Sequence, residues 1–220
     1  MIYFVLLKKS TFNMSNHLPP DQQIKAIHEI MERSTRFLHI SGLAGILAGF
    51  IAIVASWIAI NLFAFEPDSY TYNYRAMGGN QWTIISLGLS TLVLSFGLGL
   101  LLARHNAHKN KSKGWTPTSR RMLIYFATPL LTGGLVILLF WLKDFVALAA
   151  PLSLIFYGLA LLHASHFTLT DIRYLGLIEL LLGLVALYWI QHSLVIWAVG
   201  FGMVHIGYGL YIYLRYERNS

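Results

Sequence analysis

Few side chains in this sequence can do chemistry, and those that can are embedded in apolar surroundings. Cysteine is absent, which excludes disulfides, thiolate metal sites and cysteine nucleophiles. The strongest candidates are Glu179 and His205, each within a long apolar run, with His39, His163 and His166 near the ends of two other such runs. Ionisable groups at such depth are costly, and in a membrane they are functional candidates by default. Histidine titrates near neutrality, so an inner-half cluster of these five is suited to relay protons, bind a metal or hold a polar ligand. The competing reading is structural hydrogen bonding between helices, and His163 and His166 at a span end can simply reach water.

Recognisable catalytic patterns are missing. His28-Glu29 is not followed by a second histidine four residues on, so the zinc-protease motif is absent. There is no G-x-S-x-G elbow, no Walker phosphate loop and no Asp-rich magnesium motif. His105 and His108 have an i,i+3 spacing that metals use, but no carboxylate stands beside them. The sequence therefore assigns no catalytic residue and names no cofactor.

The elements that must position the candidates are read from composition. Apolar residues make up 56% of the 220 and charged residues 11%, against ~25% charged in soluble domains. Six windows run long enough to cross a ~30 Å hydrocarbon core: 37–63, 82–103, 122–142, 145–163, 172–190 and 194–214. The expectation is an all-α polytopic bundle over 37–214. A cytoplasmic segment, 1–36, precedes it and a short tail, 215–220, follows. With the N-terminus inside, all of the 16 Lys and Arg except Arg75 and Lys143 fall on the inner side, a strong orientation signal. All six tryptophans except Trp115 fall near the opposite boundary, where indole rings prefer to sit. The net charge of +7 is thus mostly topology, and no nucleic-acid partner is expected.

Before the first span, Ile24, Ile27, Met31 and Leu38 recur at helical spacing, with i,i+4 pairs such as Glu29–Arg33 on the other side. This predicts an amphipathic helix lying along the inner leaflet. The stretch 1–13 is apolar and then basic, the reverse of a secretory signal, and Met14 is the expected start of translation. The first span carries a seam of small residues, Gly42, Gly45, Gly49, Ala52, Ser56 and Ala59. Such a seam lets helices approach closely and can equally hold a homodimer. Gly88, Thr91, Ser95 and Gly99 form a similar face on the second span. Pro129 and Pro151 fall inside spans, where kinks are tolerated.

Four stretches carry a resemblance: Met31 to Phe37, Ser41 to Gly49, Asp171 to Glu179 and His205 to Leu210. Through them the chain from about residue 24 onward resembles an uncharacterised family of bacterial six-span membrane proteins. The resemblance implies that fold and a bacterial plasma membrane, and no activity.

The short link 191–193 makes the last two spans antiparallel neighbours. Glu179 is flanked at i−3 and i+4 by Gly176 and Gly183, and His205 by Gly202 and Gly209. Their depths match, at ~10 and ~14 Å from the inner ends for 1.5 Å per residue. Glu179 and His205 are therefore expected to pair across that hairpin. Three function classes stay open: a non-catalytic assembly, signalling or stress-response protein in the lipid bilayer; a small transporter or channel using the Glu/His cluster; and a haem-, metal- or quinone-binding protein.

Overall fold

The computed structural model describes residues 42–63, 81–109, 117–167 and 171–218. The expected N-terminal helix and His39 lie outside them. The described residues are helical throughout, with short turns and no strand. We name α1 (Gly42–Asn61), α2 (Gln81–Lys109), α3 (Pro117–Trp141), α4 (Ala149–Ala164) and α5 (Asp171–Tyr188). The chain ends in a rod built from α6 (Ser193–Trp197), a π-helical stretch (Ala198–Val204), α7 (His205–Ile212) and a second π stretch (Tyr213–Glu217).

Among the described residues, five helical segments are long and apolar enough to cross a membrane: Gly42–Asn61, Trp82–Leu102, Arg120–Trp141, Val146–Phe167 and Ile190–Arg215. α5 differs because its 18 residues include Asp171, Arg173 and Glu179. The helices also outrun the apolar windows. α2 continues past Ala103 to Lys109, because charge marks where the apolar surface ends and not where the backbone stops being helical. α3 starts at Pro117, the first helical position, where a missing N–H costs nothing. Pro151 is the third residue of α4, after a 3-10 turn at Val146–Leu148, where the helix has no intrahelical N–H bond to lose. The α3–α4 link is tight, as its length requires, with Asp144 at φ 64 and its N–H donating to the Trp141 carbonyl at 2.9 Å.

Large apolar residues such as Leu92, Leu101, Leu131 and Leu139 are exposed, while the interior is dominated by small ones. α1 lies along the rod, and a Cβ added to Gly49 would stand 2.5 Å from the Gly202 carbonyl oxygen. One added to Gly209 would stand 2.5 Å from that of Gly42. Most of the small-residue seam of α1 is therefore buried, and the chain's own rod packs against its glycine end. On α2 the matching face stays open: Thr91 is buried, but a Cβ added to Gly88 or Gly99 would meet nothing within 4 Å among the described residues. α4 packs most extensively on α5, and α3 on α4. Trp82 and Trp141 meet edge to face at 5.1 Å, joining α2 to α3 at one end.

Candidate functional site

α5 is held between α4 and the rod, and it delivers Glu179 to a point with no solvent exposure. His205, the first residue of α7, is 7% exposed. Its Nδ1 lies 3.2 Å from Glu179 Oε1, so the two side chains meet across the α5–rod hairpin. The packing that brings them together differs from the one expected. Gly176 and Gly183 of α5 receive α4, at Gly158 and Ile155, and Gly202 and Gly209 of the rod receive α1. Room for the carboxyl comes from Gly200, where an added Cβ would stand 2.7 Å from Glu179 Oε2.

Nδ1 has a second neighbour at almost the same range, the Gly200 carbonyl oxygen at 3.1 Å. That carbonyl sits inside the π-helical stretch, five residues before His205. The nitrogen's well-directed hydrogen bond goes to Gly200, and neither oxygen of Glu179 has a hydrogen-bond partner among the described residues. On the far side of the ring, Nε2 lies 2.9 Å from the Tyr157 hydroxyl of α4. With the ring proton on Nδ1, the phenol donates to Nε2, while Nδ1–H donates to Gly200 and faces the carboxyl. The carboxyl stands 3.2 Å from the same nitrogen as a second acceptor.

Magnitudes bear on whether this pair exists for stability. At 3.2 Å and an effective dielectric of ~20, opposite unit charges attract by about 5 kcal/mol. Burying each ion costs several kcal/mol. For the two ions together this at least offsets the attraction, so an ion pair here adds no net stability. Moving the proton from imidazolium to carboxylate leaves the same zero net charge, with the proton on the other partner.

Aromatic rings wall the site. Trp197, Phe201 and His205 stack along the rod, at 5.0 Å and then 5.7 Å between centroids, and Trp197 Nε1–H donates to Ser153 Oγ of α4 at 2.9 Å. Tyr157 touches Phe201 at 5.0 Å, His205 at 5.4 Å and Phe126 of α3 at 6.1 Å. Toward the other end of the hairpin, Arg215 lies 3.7 Å from Asp171 and bonds the Tyr211 hydroxyl.

The expected five-member cluster is thus smaller than the sequence suggested. His163 and His166 are exposed at the end of α4 and its 3-10 extension and take no part in the buried pair. The reason is position: a histidine at a helix terminus reaches outward, whereas His205 lies mid-rod with α4 and α5 against it. Tyr157 was missed, although a tyrosine within an apolar run needs a hydrogen-bond partner and so signals one. Among the described residues no group of three or more His, Asp or Glu has metal-binding proximity. Compared with known proteins, the chain matches no family model, no curated protein and no solved structure.

Proposed function

We propose that the chain is a six-span integral protein of a bacterial plasma membrane, with both termini cytoplasmic, and that it acts without catalysis as a proton-responsive element of membrane assembly or stress signalling. Support for the sixth span comes from α5. It joins α4 to the rod and packs along α4, which supports its crossing the same layer. Support for the orientation is the distribution of Lys and Arg together with the tryptophans at the opposite boundary.

The observation that carries the functional reading is the fully buried carboxyl of Glu179, 3.2 Å from His205. With one proton between them the pair is neutral. A second proton leaves a net positive charge where Glu179 has no contact with water, at a cost of several kcal/mol. That is comparable with the whole stability of a folded protein, ~5–15 kcal/mol. Opening the packing around the pair lets water reach it and relieves that cost. The rod carries His205, so the rod is the element acid should unseat. Thermal unfolding across pH tests this: wild type should lose stability on acidification. His205→Gln should not, because its lone carboxyl becomes neutral on protonation. Equal acid sensitivity in both would overturn the reading.

A second reading, a small proton-coupled transporter, is favoured by the π-helical stretch Ala198–Val204, which interrupts the rod beside the carboxyl as helix irregularities do at transporter sites. Proteoliposomes given a pH gradient separate the two: proton flux lost in Glu179→Gln supports transport, and none above empty liposomes supports sensing.

A further inference from the structure

Where α5 and the rod leave the 190–192 turn, a groove of about 440 Å³ opens on the side of the bundle. It is lined by Leu182 and Val185 of α5, by Val195 and Val199 of the rod, and by Gln191 and His192 of the turn that joins them. We infer that this groove holds one acyl chain of a membrane phospholipid, with the glycerol ester at Gln191 and His192.

Three features of the groove carry the inference. First, direction: from His192 to Val199 it follows the rod for seven residues, ~10 Å at 1.5 Å per residue. That is about two-thirds of one leaflet of a ~30 Å hydrocarbon core, and it runs parallel to the lipid tails. Second, level: exposed Tyr188 and Trp189 flank the turn, and such side chains sit at headgroup depth. Third, chemistry: the walls are aliphatic, with stiff β-branched valines that keep the trench open. The turn offers amide and imidazole donors to an ester carbonyl. A water-soluble ligand would meet neither feature in that order, since the polar end faces the interface and the apolar length faces lipid.

The seated chain has a consequence for the proton site, and this part rests on the function proposed above. Leu182 and Val199 are the lining residues farthest along the chain from the 190–192 turn. Leu182 Cδ1 is 3.4 Å from where a Gly200 Cβ would stand, and Glu179 Oε2 is 2.7 Å from the same point. The acyl chain thus lies one side-chain layer from the carboxyl and keeps water at the tryptophan end away from it.

Native mass spectrometry of the detergent-purified full chain, with dioleoyl phosphatidylethanolamine as the probe, tests the site independently of any pH response. Wild type should retain one phospholipid, and Val195→Phe with Val199→Phe, which fill the trench, should weaken retention about tenfold. No retained lipid, equal retention in the filled variant, or a retained mass matching an isoprenoid quinone would overturn the inference. Should the filled variant not fold, wild type labelled in liposomes with a diazirine-bearing acyl chain and then washed in detergent decides. Label concentrated at Leu182, Val185, Val195 and Val199 supports the site; label spread equally over Leu92 and Leu101 contradicts it.

Discussion

Gly200→Ala is the substitution whose sign is most informative. By helix propensity alone it should stabilise the chain by ~1 kcal/mol. The structure argues the opposite. The new methyl would stand 2.7 Å from both Glu179 Oε2 and Leu154 Cδ2, and both Glu179 and Leu154 are fully buried, so neither has space to retreat into. Overpacking of this kind costs ~1–3 kcal/mol, and two simultaneous overlaps belong at the top of that range. Net of propensity the loss is about 2 kcal/mol, or ~4–8 °C in Tm for a chain of this size. Differential scanning fluorimetry in detergent reads that shift. Repeating the substitution in a Glu179→Ala background removes one of the two overlaps, so the penalty should fall by ~1 kcal/mol, within the range for residues in contact. A rise in Tm, or an equal drop in both backgrounds, would refute the packing of Gly200 against the carboxyl.

Tyr157→Phe should cost ~1 kcal/mol, the worth of one hydrogen bond, and circular dichroism melting should show the helical content unchanged at low temperature. Gly209→Val places a branched side chain on the backbone of α1 at Gly42 and Ile46; loss of the folded, monodisperse species on size-exclusion chromatography is expected, and normal elution would contradict the α1–rod packing. For orientation, the absence of native cysteine makes single-cysteine labelling clean: an impermeant thiol reagent should modify Ser69→Cys in intact cells and spare Ser112→Cys, and the reverse would invert the topology.

The membrane-length helices were legible because an uncharged apolar run of that length has few other uses. The encounter of Glu179 with His205 was legible too, from similar depth and a three-residue link, whereas the flanking glycines play no part in it. The glycines beside each residue serve α4 and α1, since a helix in a bundle has neighbours on more than one side and sequence offsets do not say which neighbour a notch receives. The π-helical stretch was invisible: Ala198-Val-Gly-Phe-Gly-Met-Val204 reads as ordinary apolar helix, and its register is set by tertiary packing. Tyr157 was one of 12 tyrosines, and only the placement of α4 singles it out. His163 and His166 looked equivalent to His205 by residue type, and what separates them is packing on all sides versus a free helix end.

The central claim is that proton occupancy of the Glu179–His205 pair governs the seating of the C-terminal rod. Ile212, 3% exposed on α7, reports that seating when replaced by cysteine in this otherwise cysteine-free chain. In liposomes, thiol modification of Ile212→Cys, taken relative to a free thiol at the same pH because only the thiolate reacts, should accelerate reversibly on acidification while circular dichroism shows the helices intact, and the acceleration should vanish when His205→Gln is added. Modification that stays slow at every pH until the whole fold melts, or that accelerates equally without His205, would contradict the claim.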